Sequence, residues 1–380
     1  MRIVIASSIV VVMVTLIVPA RAPCQESDEG EVVSGRVSIA AKYDSNVDLS
    51  SGHAIEGAPE AEKIKDAFIT ELSTMLFFRP PVAPSWRLEI ELYGLTDLHV
   101  AAIRDSWYTA RGNLSLGYEF GANTISLLNE GRYYSEPDDT EFDNYRNTAS
   151  LVFTRVFSDL WRARIGYENI LHLYPESDFI NYQANGGFVE VRNNWTPTFS
   201  TYYGYHFHYY QGGSDSSTHE TLASPEKSNR HTGEIGFESF FARKDSLTGA
   251  YTFQVDDSSQ KGVIQIGEIR GEDEKLEPDA EFNFTKHRGM LVYSHKINDR
   301  FTLSLYSELI RKSFSDLEVD ENGHGQKRTD ILFLSSIWFT VRLYDEWYAK
   351  PRYLYRMNQS TIDSEDFQDH IVYLGLEHRF

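Results

Sequence analysis

In "FSTYYGYHFHYY" (residues 199–210), His206 and His208 are two residues apart, so in an extended chain they share one face. Two imidazoles beside a carboxylate or a serine could serve as general base and orienting group. That chemistry needs a nucleophile close by, and the sequence carries no G-x-S-x-G and no H-E-x-x-H arrangement. The histidines read better as polar wall residues among tyrosines, with Tyr202, Tyr209 and Tyr210 as a candidate sugar-stacking track. The expectation is a protein that is not an enzyme, with no cofactor and no metal. The acidic stretches do not have the alternating ligands and central glycine of a calcium loop.

The other chemistry-bearing residues are charges on alternate positions. In "WRLEIELYG", Arg87, Glu89 and Glu91 oppose Trp86, Leu88, Ile90 and Leu92. In "LWRARIGYENILHL", Arg162, Arg164 and Glu168 oppose Trp161, Ala163, Ile165 and Tyr167. Period two with one apolar and one charged face is the signature of a strand between two unlike environments. The charged set extends to Arg111, Glu119, Arg300, Glu308, Lys312, Lys350, Arg352 and Arg356. Together with His206 and His208, these are the expected lining of a water-filled interior that sorts ions and solutes.

The connections show what must hold such strands. Short turns at 80–85, 121–123, 158–160, 196–198, 244–246, 298–300 and 344–346 alternate with connections near 47–63, 103–105, 137–141, 175–178, 212–229, 256–280, 316–327 and 361–366. All but the 103–105 connection in the second set are long and polar. Strict alternation of this kind predicts an all-β fold, a transmembrane up-and-down antiparallel β-barrel of about sixteen strands, with fourteen or eighteen as alternatives. Phe120, Phe157, Trp161, Trp195, Phe199, Phe301 and Trp347 lie at the short turns, where a membrane–water interface collects amphipathic rings. Pro351 removes a ladder donor from the expected fifteenth strand. The run Lys286-His287-Arg288 forces one polar group of the twelfth outward, and the outer rim is where that costs least.

Composition agrees. The chain has 380 residues, a net charge of −20, 24% charged and 14% aromatic residues. So acidic a chain, without Lys/Arg clusters, is a poor partner for nucleic acid. Arg2, the apolar run Ile3–Val18 and Ala20-Arg21-Ala22 read as a signal peptide over 1–22. Pro23 after the expected cut hinders cleavage, which leaves an uncleaved anchor as the alternative. Cys24 is the only cysteine, so no intramolecular disulfide forms, and Pro23 before it does not fit a lipoprotein signal. The domain reading is a short periplasmic segment over 23–32 and a barrel over 33–380.

The ending "HIVYLGLEHRF" places Val372, Leu374, Leu376 and Phe380 on one face, with His378 interrupting. It resembles the terminal assembly signal of Gram-negative outer-membrane proteins. The first strand, "GRVSIAAKYDSNV", with Tyr43-Asp44-Ser45-Asn46, resembles the opening strand of a porin-like barrel group that includes exopolysaccharide-associated barrels. That resemblance implies an outer-membrane location and a channel for passive passage of small hydrophilic solutes or ions. The alternative is the barrel component of an exopolysaccharide secretion system. The implied partners are outer-membrane lipid and lipopolysaccharide, the barrel assembly machinery and, in the alternative, polysaccharide-export proteins. Acidity concentrates in "EPDDTEFD" (136–143), "GEDEKLEPD" (271–279) and "DLEVDE" (316–321), read as outer connections. Inward Arg162, Arg164, Lys350, Arg352 and Arg356 then predict a locally basic constriction.

Overall fold

The computed structural model describes residues 32–45, 67–99, 106–135, 143–175, 181–212, 227–241, 244–258, 283–319, 325–361 and 367–380. The signal-peptide stretch, Cys24, Asn46 and most of the acidic connections lie outside them. Sixteen strands form: Val33–Asp44 (β1), Ala67–Phe78 (β2), Trp86–His99 (β3), Trp107–Phe120 (β4), Asn123–Ser135 (β5), Asn144–Val156 (β6), Trp161–Leu173 (β7) and Tyr182–Thr196 (β8). They continue as Phe199–Gly212 (β9), Ser228–Phe241 (β10), Asp245–Ser258 (β11), Phe284–Lys296 (β12), Phe301–Val319 (β13), Gly325–Tyr344 (β14), Trp347–Ser360 (β15) and Phe367–Arg379 (β16). Each pairs antiparallel with its sequence neighbours, and β16 pairs with β1, so the sheet closes.

Closure removes every sheet edge, which a hydrocarbon environment demands because an unpaired backbone group has no water there. The seam runs in register from Arg36 opposite Arg379 to Asp44 opposite Ile371. Gly35 and Phe380 exchange both backbone hydrogen bonds, at 2.8 and 3.0 Å. The turns fall within two residues of their expected places. Three of them are two-residue turns, Gly121-Ala122, Pro197-Thr198 and Asp345-Glu346, with positive φ at Gly121 (59°) and Asp345 (41°). The two faces of the wall obey the alternation. Leu92, Leu114, Leu151, Ile165, Leu291, Leu309 and Leu374 are exposed on the outside, and the seven turn-end rings expected at the interface are exposed there as well.

Two local features refine the sequence reading. The stretch "DLEVDE", read as a connection from its acidity, is strand as far as Val319: Leu317, Glu318 and Val319 pair with Lys327, Gln326 and Gly325. A register shift between Ser313 and Leu317 lets the β13–β14 hairpin continue beyond the rest of the barrel. Pro351 does lie within β15. It pairs with Leu374 on β16, and the β14–β15 ladder is interrupted between Trp338 and Val341, opposite the proline.

Candidate functional site

The inner wall carries the charged residues; on β3 and on β7–β11 their exposure falls towards the loop end, whereas Glu377 near the turn end of β16 is buried beneath Lys350 and Arg379. On β3 the side chains of Arg87, Glu89, Glu91 and Asp97 are 77%, 43%, 19% and 8% exposed in that order. The same descent runs from Arg192 and Glu238 at the turn end of β8–β10, past Glu168 and His208, to Arg230 and Asp256. The interior is therefore open at the turn end and packed at the loop end. Two apolar patches belong to that packing: Ile170, Tyr182, Ala184 and Tyr210, and Ile310, Leu332 and Leu334. A water-filled interior was expected, and the packed loop end departs from it. Alternate positions near the loop end carry large apolar side chains, and these fill space.

At the turn end, Arg87 Nε meets Glu119 Oε1 at 2.8 Å, Arg79 Nε meets Glu89 at 2.6 Å, and Arg111 Nη2 meets Glu91 at 3.1 Å. Arg162 stands directly opposite Arg192 in the β7–β8 register, one alternate position from Arg164. Arg164 Nη1 reaches Glu190 Oε2 at 2.5 Å, and Arg192 donates to Glu238 and, at 2.9 Å, to Ser200 Oγ. Lys350 Nζ lies 2.5 Å from Glu377, which also accepts from Arg379 at 2.8 Å. Arg300 is the exception among the expected wall residues. It falls in the turn before β13, and its carbonyl accepts from Arg342 N–H at 2.8 Å. The reason is the turn itself: Asn298 Oδ1 accepts from the backbone N–H groups of Arg300 and Phe301 and holds the chain in a bend there.

His206 and His208 are brought together with Glu168, as their shared face requires. His208 Nε2 lies 2.9 Å from Glu168 Oε2, while His206 stacks on Phe188 at 5.2 Å and stands 3.7 Å from Glu190. Ser150 Oγ also points to Glu168, at 3.5 Å. The carboxylate thus stands between hydroxyl and imidazole. A hydrolytic triad needs the imidazole in that middle place, touching the nucleophile. The expected tyrosine track is not continuous: Tyr209 faces outward, while Tyr202 and Tyr210 face inward. Tyr202 lies flat on the wall over Gly236, where an added Cβ would come within 2.2 Å of the ring. Tyr210 carries the Arg230 guanidinium on its face at 4.5 Å.

Above this level the wall is a ladder of cations and rings. Arg230 spans Tyr210 and Phe284, Lys312 lies 4.2 Å from Phe284 and 5.1 Å from Phe314, and Arg328 covers Phe314 at 5.1 Å. Arg230 also donates to Asp256 at 3.0 Å. On β12 and β13, Arg288 pairs with Glu308, whose other oxygen accepts from Tyr306 at 2.6 Å.

The seam holds the densest set. Lys42 Nζ lies 2.7 Å from Asp97 and 2.6 Å from Glu71. Arg356 contacts Asp369 at 2.8 and 2.5 Å and Asp44 at 3.5 Å. Arg352 donates to Ser336 Oγ at 2.8 Å and lies over Trp338 and Tyr373. The first-strand residues Tyr43-Asp44-Ser45 contribute here. Tyr43 packs outward on Phe68 at 5.2 Å, and Ser45 Oγ donates to Asp369 at 3.1 Å and accepts from His370 N–H at 2.8 Å.

The expected basic constriction is thereby corrected. Arg164, Lys350 and Arg356 face Glu190, Glu377 and Asp369, acids that the sequence reading had not assigned to the wall. Glu71, Asp97, Glu238 and Asp256 were missed in the same way, as were Lys42, Arg192 and Arg230. Their parity could have placed them, since each lies an even number of residues from an assigned wall position or on the inward face of its hairpin partner.

These features define a closed sixteen-strand antiparallel up-and-down β-barrel, with no helix among the described residues. Among solved structures the chain is similar to CdiB from Acinetobacter baumannii, with a TM-score of 0.53 at 10% identity. That likeness covers 92% of this chain and 60% of CdiB. It is also similar to OccAB4 from A. baumannii (TM-score 0.49, 8% identity, 93% and 99% covered). OprD from Pseudomonas aeruginosa gives a TM-score of 0.47 at 9% identity, with 92% and 95% covered. At such identities the likeness is one of fold. No protein-family model matches the chain, and no curated protein matches it in sequence.

Proposed function

We propose that the chain is an outer-membrane channel for passive passage of small hydrophilic solutes or ions, exported by the segment 1–22 and inserted by the barrel assembly machinery. The loop connections face outward and the short turns face the periplasm. The observation that carries this reading is the inner wall: a closed barrel lined by charged residues whose exposure runs from 77% at Arg87 to 8% at Asp97. Water solvates such charges where a dry core would not. Arg87, Glu89, Glu91, Arg111, Glu119, Arg162, Arg164, Glu168, His206 and His208 form the open part of the path. Glu308, Lys350, Arg352 and Arg356 belong to its paired wall. Passage is controlled at the packed loop end, where opposite charges alternate at close range and favour neither sign strongly.

Single-channel recording in a planar bilayer tests this. Steady steps of conductance with weak ion selectivity are the expected result. A refolded, heat-modifiable barrel that inserts and stays silent at all voltages would refute the passive-channel reading.

A further inference from the structure

On β12–β16 the outer face turns from apolar to polar at one level, and that level carries an unusual set of side chains around the barrel. Tyr205, Tyr251 and Tyr353 are each the seventh residue of their strands and face outward. Each hydroxyl lies 2.7 Å from the Nδ1 of a histidine on the next strand: His231, His287 and His370. A second ring packs on every one of these histidines, Phe207 at 5.0 Å, Phe253 at 5.1 Å and Tyr355 at 5.1 Å. All three histidines are exposed. On β13, Arg311 pairs directly with His287, faces outward and is exposed.

Height fixes what this belt meets. His231, His287, Arg311 and His370 lie ten residues from the exposed turn-end side chains Phe241, Ile297, Phe301 and Phe380 respectively. Ten residues of strand tilted by about 40° rise ~25 Å, the height of a barrel's apolar band. On β12–β16 the outward residues below the belt include Leu291, Leu309 and Leu374, and those above it include Thr285, Ser313, Thr329 and Gln368. The belt therefore stands at the headgroup boundary of the loop-side monolayer. No carboxylate among the described residues is within ion-pair distance of these three histidines or of Arg311. At the turn end, by contrast, His295 has Asp245 at 2.7 Å.

On the reading that the chain spans the outer membrane with its loops outward, we propose that Tyr251, His287 and Arg311 form a site on β11–β13 for a phosphate-bearing lipid headgroup of that monolayer. Arg311 supplies the charge and the planar donor pair that suit a phosphate. A hydroxyl donating to Nδ1 leaves the imidazole proton on Nε2, as a further donor. The Tyr205–His231 and Tyr353–His370 pairs repeat the geometry without the arginine and mark weaker positions on the same belt.

Native mass spectrometry of the full chain, refolded in detergent, tests the site with bisphosphorylated lipid A, the same lipid dephosphorylated, and inorganic phosphate as competitor. The expected result is a loss of roughly tenfold or more in affinity for bisphosphorylated lipid A in Arg311→Gln/His287→Ala. Affinity for the dephosphorylated lipid should not change, and Arg311→Lys, which keeps the charge but not the planar donor pair, should retain only part of the binding. Equal retention of the phosphorylated lipid by the folded double variant would overturn the proposal. So would displacement by millimolar inorganic phosphate, which would make it a site for free anions. Conductance is recorded separately: a silent barrel that keeps the lipid preference refutes the channel and leaves this site standing.

Discussion

Removing the carboxylate of Asp369 is the sharpest test of how the seam is held. Arg356 on β15 is buried, with Asp369 of β16 at 2.5 Å and Asp44 of β1 at 3.5 Å. With an effective dielectric of about 20, these distances give attractions of about 6–7 and about 4–5 kcal/mol before desolvation. Asp44 thus carries roughly two fifths of the total. Leaving a buried charge wholly unpaired costs about 3–5 kcal/mol. Asp369→Ala should therefore cost about 2–3 kcal/mol, Asp44→Ala about 1–2, and the double variant about 3–5. Urea titration of the barrel in lipid vesicles, followed by tryptophan fluorescence, measures this. A slope of about 3 kcal/mol per molar puts the Asp369→Ala midpoint ~0.7–1 M below that of the wild type. Replacing all three residues with apolar ones of similar size should recover most of the loss, because no unpaired charge then remains. An unchanged midpoint in Asp369→Ala would refute the reasoning. A larger cost for Asp44→Ala than for Asp369→Ala would refute the ranking by distance.

Three further outcomes are expected. Glu190→Gln frees Arg164 beside Arg162 and Arg192, so reversal potentials under a salt gradient should shift towards anions; no shift would mean that ions do not pass this stretch of wall. Gly236→Val forces the Tyr202 ring off the wall, because the added carbon would meet it at 2.2 Å, and single-channel conductance should fall at a stability cost of about 1–3 kcal/mol. Phe380→Asp puts a charge into the outward cluster with His378 and Trp347, so the heat-modifiable band should diminish more than after any loop deletion.

The strands and turns were legible because an up-and-down barrel pairs sequence neighbours, so alternation and turn spacing carry the topology locally. Trp86, Leu88, Ile90 and Leu92 face outward and Arg87, Glu89 and Glu91 inward, as their parity requires. His287 is the outward member of Lys286-His287-Arg288 and lies ten residues above the turn end, as the cost of a polar group in lipid demands. Charge alone misled at residues 316–319, where backbone pairing continued through an acidic stretch. The partners on the inner wall were not legible. Lys42 meets Asp97 two strands away, and Arg356 meets Asp44 across a seam joining residues more than 300 apart in sequence. Register sets such contacts, and no local pattern encodes it.

The inner and outer faces impose separate demands on the same strands, and this explains why net charge is a poor guide to the path. The outer face needs only apolar alternation between a ring belt at the turns and a polar boundary about 25 Å above it. The inner face can then carry charges freely, provided each finds a partner as the wall becomes packed. On β3 that condition tightens with height: Arg87 and Glu89 are 77% and 43% exposed, while Asp97 is buried and held by Lys42. On the proposed channel reading, an ion entering from the turn end meets solvated, individually accessible charges, and deeper in the barrel it meets pairs whose fields largely cancel. Selectivity therefore depends on whichever charge lacks a close opposite partner. Arg162, opposite Arg192 and beside Arg164, is such a position on the open part of the wall, whatever the sum over the whole chain.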